Sequence, residues 1–329
     1  MTSRLFCVGL LCGSLIAGLR SQPAAAAGIP EKVHRILFLG DSITYDGRYV
    51  ACVEAWLALG LPERPVEVIN VGLPSETVSG LSELGHAGGS FPRPDLHERL
   101  DRVLRATQPD LVFACYGMND GIYLPLADDR FRKFQEGQQW LHDTVVAAGG
   151  KIVHVTPPVF DPVPLKGGTS STGPTEKDGR PYEKYNEVLD RYTDWLLSQN
   201  QRGWEVVDLH GPINRYLANQ RQTRPDFTLA GDGVHPNEAG HWLMAQPILL
   251  YLGATDAAAA ADPQAMVAGA ADGAQLLQLT RQRMSLLRDA WLTSTGHKRP
   301  GMGQGEPLPQ AQAKAQELTA KIKATAKRP

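Results

Sequence analysis

From Arg35 to about Leu252, short apolar or β-branched runs alternate with longer stretches whose apolar residues recur at helical spacing. The runs RILFL (35–39), VEVINV (66–71), DLVFACY (110–116), KIVHVT (151–156) and WEVVDL (204–209) predict five strands. Helices are predicted near 48–60, 95–107, 127–148, 182–200, 212–222 and 237–252, with Pro109-Asp110 and Gly149-Gly150 marking helix ends before strands. Strict alternation of this kind predicts an α/β fold with a parallel sheet covered by helices on both faces. The Pro/Gly/Ser/Thr-rich stretch 157–181 follows the fourth strand. In an open parallel sheet that edge faces the ligand crevice, so the stretch is expected to wall a substrate site.

After Tyr251 the pattern changes to ATDAAAAADP, a linker or a helix start, followed by a predicted helix near 263–293 with Leu277, Met284, Leu287 and Trp291 on one stripe. A Gly/Pro loop and a last helix carrying Leu308, Ala311, Ala315, Leu318 and Ile322 complete the chain. The stripe needs cover, either from the α/β domain or from a second copy, and docking onto the domain is expected. The loop His297–Gly305 would then lie on the surface, with His297, Lys298 and Arg299 as candidates for the crevice edge. At the other end, the apolar run 5–19 follows Arg4 and precedes PAAAAG. It reads as a signal peptide over 1–27, short and abruptly ended for a transmembrane helix, with an uncleaved anchor as the alternative. The expected organisation is a signal peptide (1–27), a catalytic domain (28–253) and a linker with a helical extension (254–329). The mature protein is expected to be exported, without stable membrane insertion.

Hydrophobic residues make up 42% of the 329, which excludes disorder and collagen and allows a sizeable core. A net charge of −2, with Lys and Arg scattered, leaves no basic stripe for nucleic acid. Cys7 and Cys12 fall in the signal segment; Cys52 and Cys115 remain as two buried small hydrophobes or a single bridge. The histidines form no HExxH or HxH cluster, so no zinc site is expected.

Gly40-Asp41-Ser42 ends the first predicted strand and places a hydroxyl at the crevice edge. Gly72, just after the second, offers an unencumbered backbone N–H, and Asn119, just after the third, a side-chain amide; both are donors for a developing oxyanion. Asp232 lies three positions before His235, where a carboxylate can hold one ring nitrogen while the other faces Ser42. Each feature alone has an ordinary reading as a cap or a turn. Their joint order carries the case. With GDSIT at 40–44, NVG at 70–72, GMND at 117–120 and DGVHPNEAGH at 232–241, the chain resembles the SGNH hydrolases, the GDSL esterase/lipase family, over about 33–252. The second block departs from the family pattern, with Leu73-Pro74-Ser75-Glu76-Thr77 where a further Gly is common.

The resemblance implies a flavodoxin-like sheet in the order 2-1-3-4-5, and it implies residue roles. Ser42 would be the nucleophile, His235 the general base and acid, and Asp232 its orienter. The oxyanion hole would be Ser42 N–H, Gly72 N–H and Asn119, with Asp41 and Asp120 as supporting carboxylates. Exported members commonly remove acetyl groups from polysaccharides, so a carbohydrate acetyl ester is the expected substrate. The alternatives are a lipase or lysophospholipase of the same fold, a non-catalytic glycan-binding module, and a metal-dependent phosphoesterase using Asp41, Asp232 and His235. Tyr45, Tyr49, Tyr116 and Tyr123 are either sugar platforms or interface packing.

Overall fold

The structure, a computed structural model, describes residues 29–327 apart from Glu63 and Pro65. The expected signal segment lies outside the described residues. Chain order runs β1 (Arg35–Gly40), α1 (Ser42–Asp46), α2 (Arg48–Gly60), β2 (Glu67–Asn70), α3 (Leu100–Thr107), β3 (Leu111–Cys115), α4 (Asp128–Ala147), β4 (Lys151–Val155), α5 (Tyr185–Ser198), β5 (Glu205–Val207), α6 (His210–Arg221) and α7 (Glu238–Tyr251). The C-terminal part adds α8 (Thr255–Ala258), α9 (Pro263–Met266), α10 (Gly273–Thr295) and α11 (Leu308–Ala326).

The five strands form one parallel sheet in the order β2-β1-β3-β4-β5. Leu37 stands opposite Ile69 on one side and Val112 on the other, and Val112 opposite Ile152. Every residue of β3 is buried, because helices cover both faces and leave no solvent side to reward a polar alternation. Phe38 stacks on Phe113 across the β1–β3 pair, with ring centroids 5.2 Å apart. Cys52 and Cys115 are free and buried, and burial pushes the Cys52 thiol up to about 12.

Two helix expectations change. The segment expected as one helix over 95–107 is a short turn at Leu96–Glu98 followed by α3, and the single helix expected over 263–293 is α9 and α10. Gly269 falls in that break, where a helix gains least from its backbone, and Gly273 opens α10 after the Asp272 cap. Leu276 and Leu279 join Met284, Leu287 and Trp291 as the buried stripe, while Leu277 is only half-buried.

α10 packs on α2 and along β2, and α11 packs on α10. The join is polar as well as apolar: Arg283 pairs with Glu54 at 2.5 Å and Arg102 donates to Thr295 O at 2.8 Å. Among the described residues no helix is long and apolar enough to cross a membrane.

Candidate active site

Strand ends supply the site. Asp41, immediately after β1, caps α1 by accepting from Ile43 N at 2.9 Å, which sets Ser42 as the first residue of that helix. Ser42 N–H there has no intrahelical acceptor and is left to the crevice. Ser42 Oγ lies 2.8 Å from His235 Nε2, and His235 Nδ1 lies 2.6 Å from Asp232 Oδ2. An ionised Asp232 can only accept, so Nδ1 carries the proton and the Nε2 lone pair faces the serine hydroxyl.

The turn bearing this pair is shaped by its own backbone. Asp232 Oδ1 accepts from Val234 N at 3.0 Å and His235 N at 2.8 Å. Partial burial raises the Asp232 pKa, but these bonds and the histidine ring outweigh it and hold the carboxyl below its ordinary value. Gly233 takes φ +77°, and a Cβ there would collide with Asp161 O. Asp161 in turn donates its N–H to Gly233 O at 2.8 Å, while its buried carboxylate takes Arg221 Nη2 at 2.6 Å and Thr228 Oγ1 at 2.8 Å. The 157–181 stretch thus braces the histidine turn from beneath, a role its composition did not signal.

Asn119 is buried after β3. Its Oδ1 accepts from Arg93 Nη1 at 2.9 Å and Tyr123 OH at 3.3 Å, which fixes the amide orientation. One Nδ2 proton goes to Glu76 O at 3.2 Å, leaving the other for a ligand. Gly72 lies against the turn bearing Ser42, where a Cβ would collide with Tyr45 N and Thr44 C. Its N–H is not unencumbered as the sequence suggested: it donates to Asn70 Oδ1 at 2.9 Å. A short polar side chain two residues earlier satisfies that amide locally. Asn70 Nδ2 donates to Thr44 O at 2.6 Å and to Met284 Sδ of α10 at 3.4 Å, so one side chain links the loop after β2, the turn bearing Ser42 and the C-terminal helix.

Beneath the loop, Arg99 grips Glu76 at 2.6 and 2.7 Å, and Tyr116 OH donates to Glu76 Oε2 at 2.7 Å. Asp120 Oδ1 accepts from Val78 N and Ser79 N, both at 2.8 Å. Tyr49 and Tyr116 are fully buried, which removes them as sugar platforms; Tyr45 and Tyr123 are half-buried. Sequence reasoning missed Arg93, Glu76, Arg99, Asn70 and Asp161 as supports. Asn70 opens the NVG motif at 70–72, yet its bonds are set only by the fold. A surface groove of about 1170 Å³ beside Trp140 and Trp195 shares no residue with this site.

Burial pushes Asp41 up to about 7 and Asp120 up to about 6, against the backbone N–H groups that each accepts from. A carboxyl whose folded pKa is raised stabilises the fold below its unfolded pKa and loses that contribution as pH rises through the folded value. Asp41→Asn removes the titration. The unfolding free energy of wild type minus that of the variant should therefore fall by about 4 kcal/mol between roughly pH 4 and pH 8. Urea denaturation across that range checks it, and a flat difference would show that Asp41 is not perturbed.

Residues 38–243 match the model of the GDSL-like lipase/acylhydrolase family. The chain belongs to that family and is a carboxylic ester hydrolase. It is similar to the acetylxylan esterase of Geobacillus stearothermophilus, 25% identical over 238 residues, which cover 67% of this chain and 94% of that protein. The crystal structure of a catalytic mutant of Axe2, an acetylxylan esterase from that organism, has a TM-score of 0.49 at 24% identity, over 67% of this chain and 94% of that one. A gut microbial diltiazem-metabolizing enzyme has a TM-score of 0.49 at 22% identity, over 70% of this chain and 49% of that one.

Proposed function

We propose that the chain is a serine esterase that removes short acyl groups, acetyl above all, from carbohydrate. The observation that carries this reading is the Ser42–His235–Asp232 relay, closed at 2.8 and 2.6 Å on the strand-end edge of a parallel sheet. Ser42 Oγ attacks the ester carbonyl carbon while His235 Nε2 takes its proton. Ser42 N–H and the uncommitted Asn119 amide N–H meet the oxyanion; Gly72 N–H joins them by sharing its proton with Asn70. Collapse breaks the bond to the sugar oxygen, which receives the proton from His235. A water then attacks the acyl-serine with the same ring as base, releasing acetate and restoring Ser42. Asp232 stabilises the imidazolium in both halves. No metal or cofactor enters these steps.

Support for acetyl on carbohydrate is the likeness to an acetylxylan esterase across nearly its whole length, together with polar residues beside the nucleophile and the histidine. A long acyl chain gains about 0.8 kcal/mol for each CH₂ that finds apolar cover, and the exposed Asp46, Asp232 and Asn237 provide none. Nitrophenyl acetate should therefore be cleaved faster than nitrophenyl octanoate, and acetylated xylan should release acetate. If kcat/KM instead climbs with acyl length, the carbohydrate reading gives way to a lipase. The same proposal has residues 1–27 removed on export, with 28–253 carrying the chemistry and 254–329 as an extension. N-terminal sequencing of exported protein tests the cleavage.

A further inference from the structure

The C-terminal extension reaches the crevice rim on the β1 and β2 side. Tyr45, three residues past Ser42, lies under Arg288, whose guanidinium stands 3.7 Å from the ring centroid and donates to Tyr45 O at 2.6 Å. Tyr45 OH donates to Asp289 at 3.2 Å. Farther along, Arg299 Nε donates to Pro74 O at 2.9 Å, two residues past Gly72. The same guanidinium stands 5.3 Å over the Phe91 ring, and Phe91 is two residues before Arg93, which holds Asn119. Arg299 thus spans the loop that follows Gly72 and the loop that fixes Asn119.

Four arginines occupy this rim or its floor, and their charges are not alike. Arg93 pairs with Glu83 at 2.6 Å, Arg99 with Glu76 at 2.6 Å and Arg288 with Asp289 at 2.8 Å. Among the described residues no carboxylate lies within ion-pair distance of Arg299; its Nη1 meets only the carbonyl of Pro300, and its Nη2 has no acceptor. Its neighbour Lys298 is exposed. Partial burial holds the Arg299 pKa below the ordinary guanidinium range, opposed in part by Tyr45, yet the group stays charged. A half-buried guanidinium, oriented by a carbonyl and a ring face but lacking a counter-ion, is built to accept one from outside.

We propose that Arg299 is a specificity-determining residue that receives the carboxylate of a uronic acid unit in an acetylated glycan lying across the crevice. The inference rests on the esterase reading above and narrows its substrate to anionic glycans. A neutral acetylated xylan meets the same nucleophile without that contact.

The test compares kcat/KM on an acetylated galacturono-oligosaccharide and an acetylated xylo-oligosaccharide for wild type, Arg299→Gln and Arg299→Lys. Wild type should favour the uronate substrate, and the preference should shrink as salt is raised. Arg299→Gln should cut the uronate-to-neutral ratio about tenfold, chiefly through KM, and Arg299→Lys should keep part of it. An unchanged ratio in Arg299→Gln would overturn the proposal. So would a lysine variant indistinguishable from the glutamine one, since only packing on Phe91 and Pro74 would then matter. The underlying reading fails separately: wild type that cleaves nitrophenyl acetate but neither glycan would overturn carbohydrate as the substrate, and this inference with it.

Discussion

Ser42→Ala should lower kcat on nitrophenyl acetate by roughly 10³-fold or more, because the members of such a relay act as one unit. Its thermal transition should move little. Ser42 is half-buried, its hydroxyl bonds to the His235 ring, and its backbone N–H and helical position survive the change. The loss of one partly exposed hydrogen bond is worth about 1 kcal/mol. Steady-state kinetics beside calorimetry separates chemistry from folding. A variant that keeps most of its activity would remove Ser42 as nucleophile, and with it the relay.

Ending the chain after Ala254 should abolish cooperative folding. α10 buries Leu276, Leu279, Met284, Leu287 and Trp291 in the layer it forms with α11, α2 and β2. At about 2 kcal/mol for each such side chain, their burial is worth about 10 kcal/mol, comparable to the whole stability of a typical domain. Removal would also leave the Glu54 carboxylate, buried and paired with Arg283, without its cation. Asn70 would lose Met284, and Tyr45 O would lose Arg288. Trp291→Ala is the graded version, with an expected loss of about 3–5 kcal/mol by denaturant titration. A truncated protein that melts like the intact one would show that this face holds nothing together.

The relay was legible because each of its parts follows a strand or lies in a short turn. Asp232 and His235 are three residues apart, and Ser42 follows the first apolar run. The supports were not. Arg93 meets Asn119 across 26 residues and Glu76 meets Arg99 across 23, and each is an ordinary charged residue in its own segment. Gly72 shows a subtler failure. Its place after the second strand is a local matter, but the state of its N–H is not, because the rotamer of Asn70 that accepts it depends on Thr44 O and on Met284, 214 residues away.

The sequence by itself determined the five-stranded alternation, the placing of Gly40, Gly72 and Tyr116 at strand ends, and the stripe that obliges the last helices to dock. These are local matters: side-chain period, backbone freedom at glycine and the composition of turns act within a few residues. Only the tertiary structure decided which surface receives α10, which carboxylates are pushed up by burial, that Tyr49 and Tyr116 face the core, and that Arg299 meets Pro74 O and the Phe91 ring with no carboxylate among the described residues in ion-pair reach. Those outcomes depend on desolvation and on contacts between residues distant in the chain, and neither is set until the layers close.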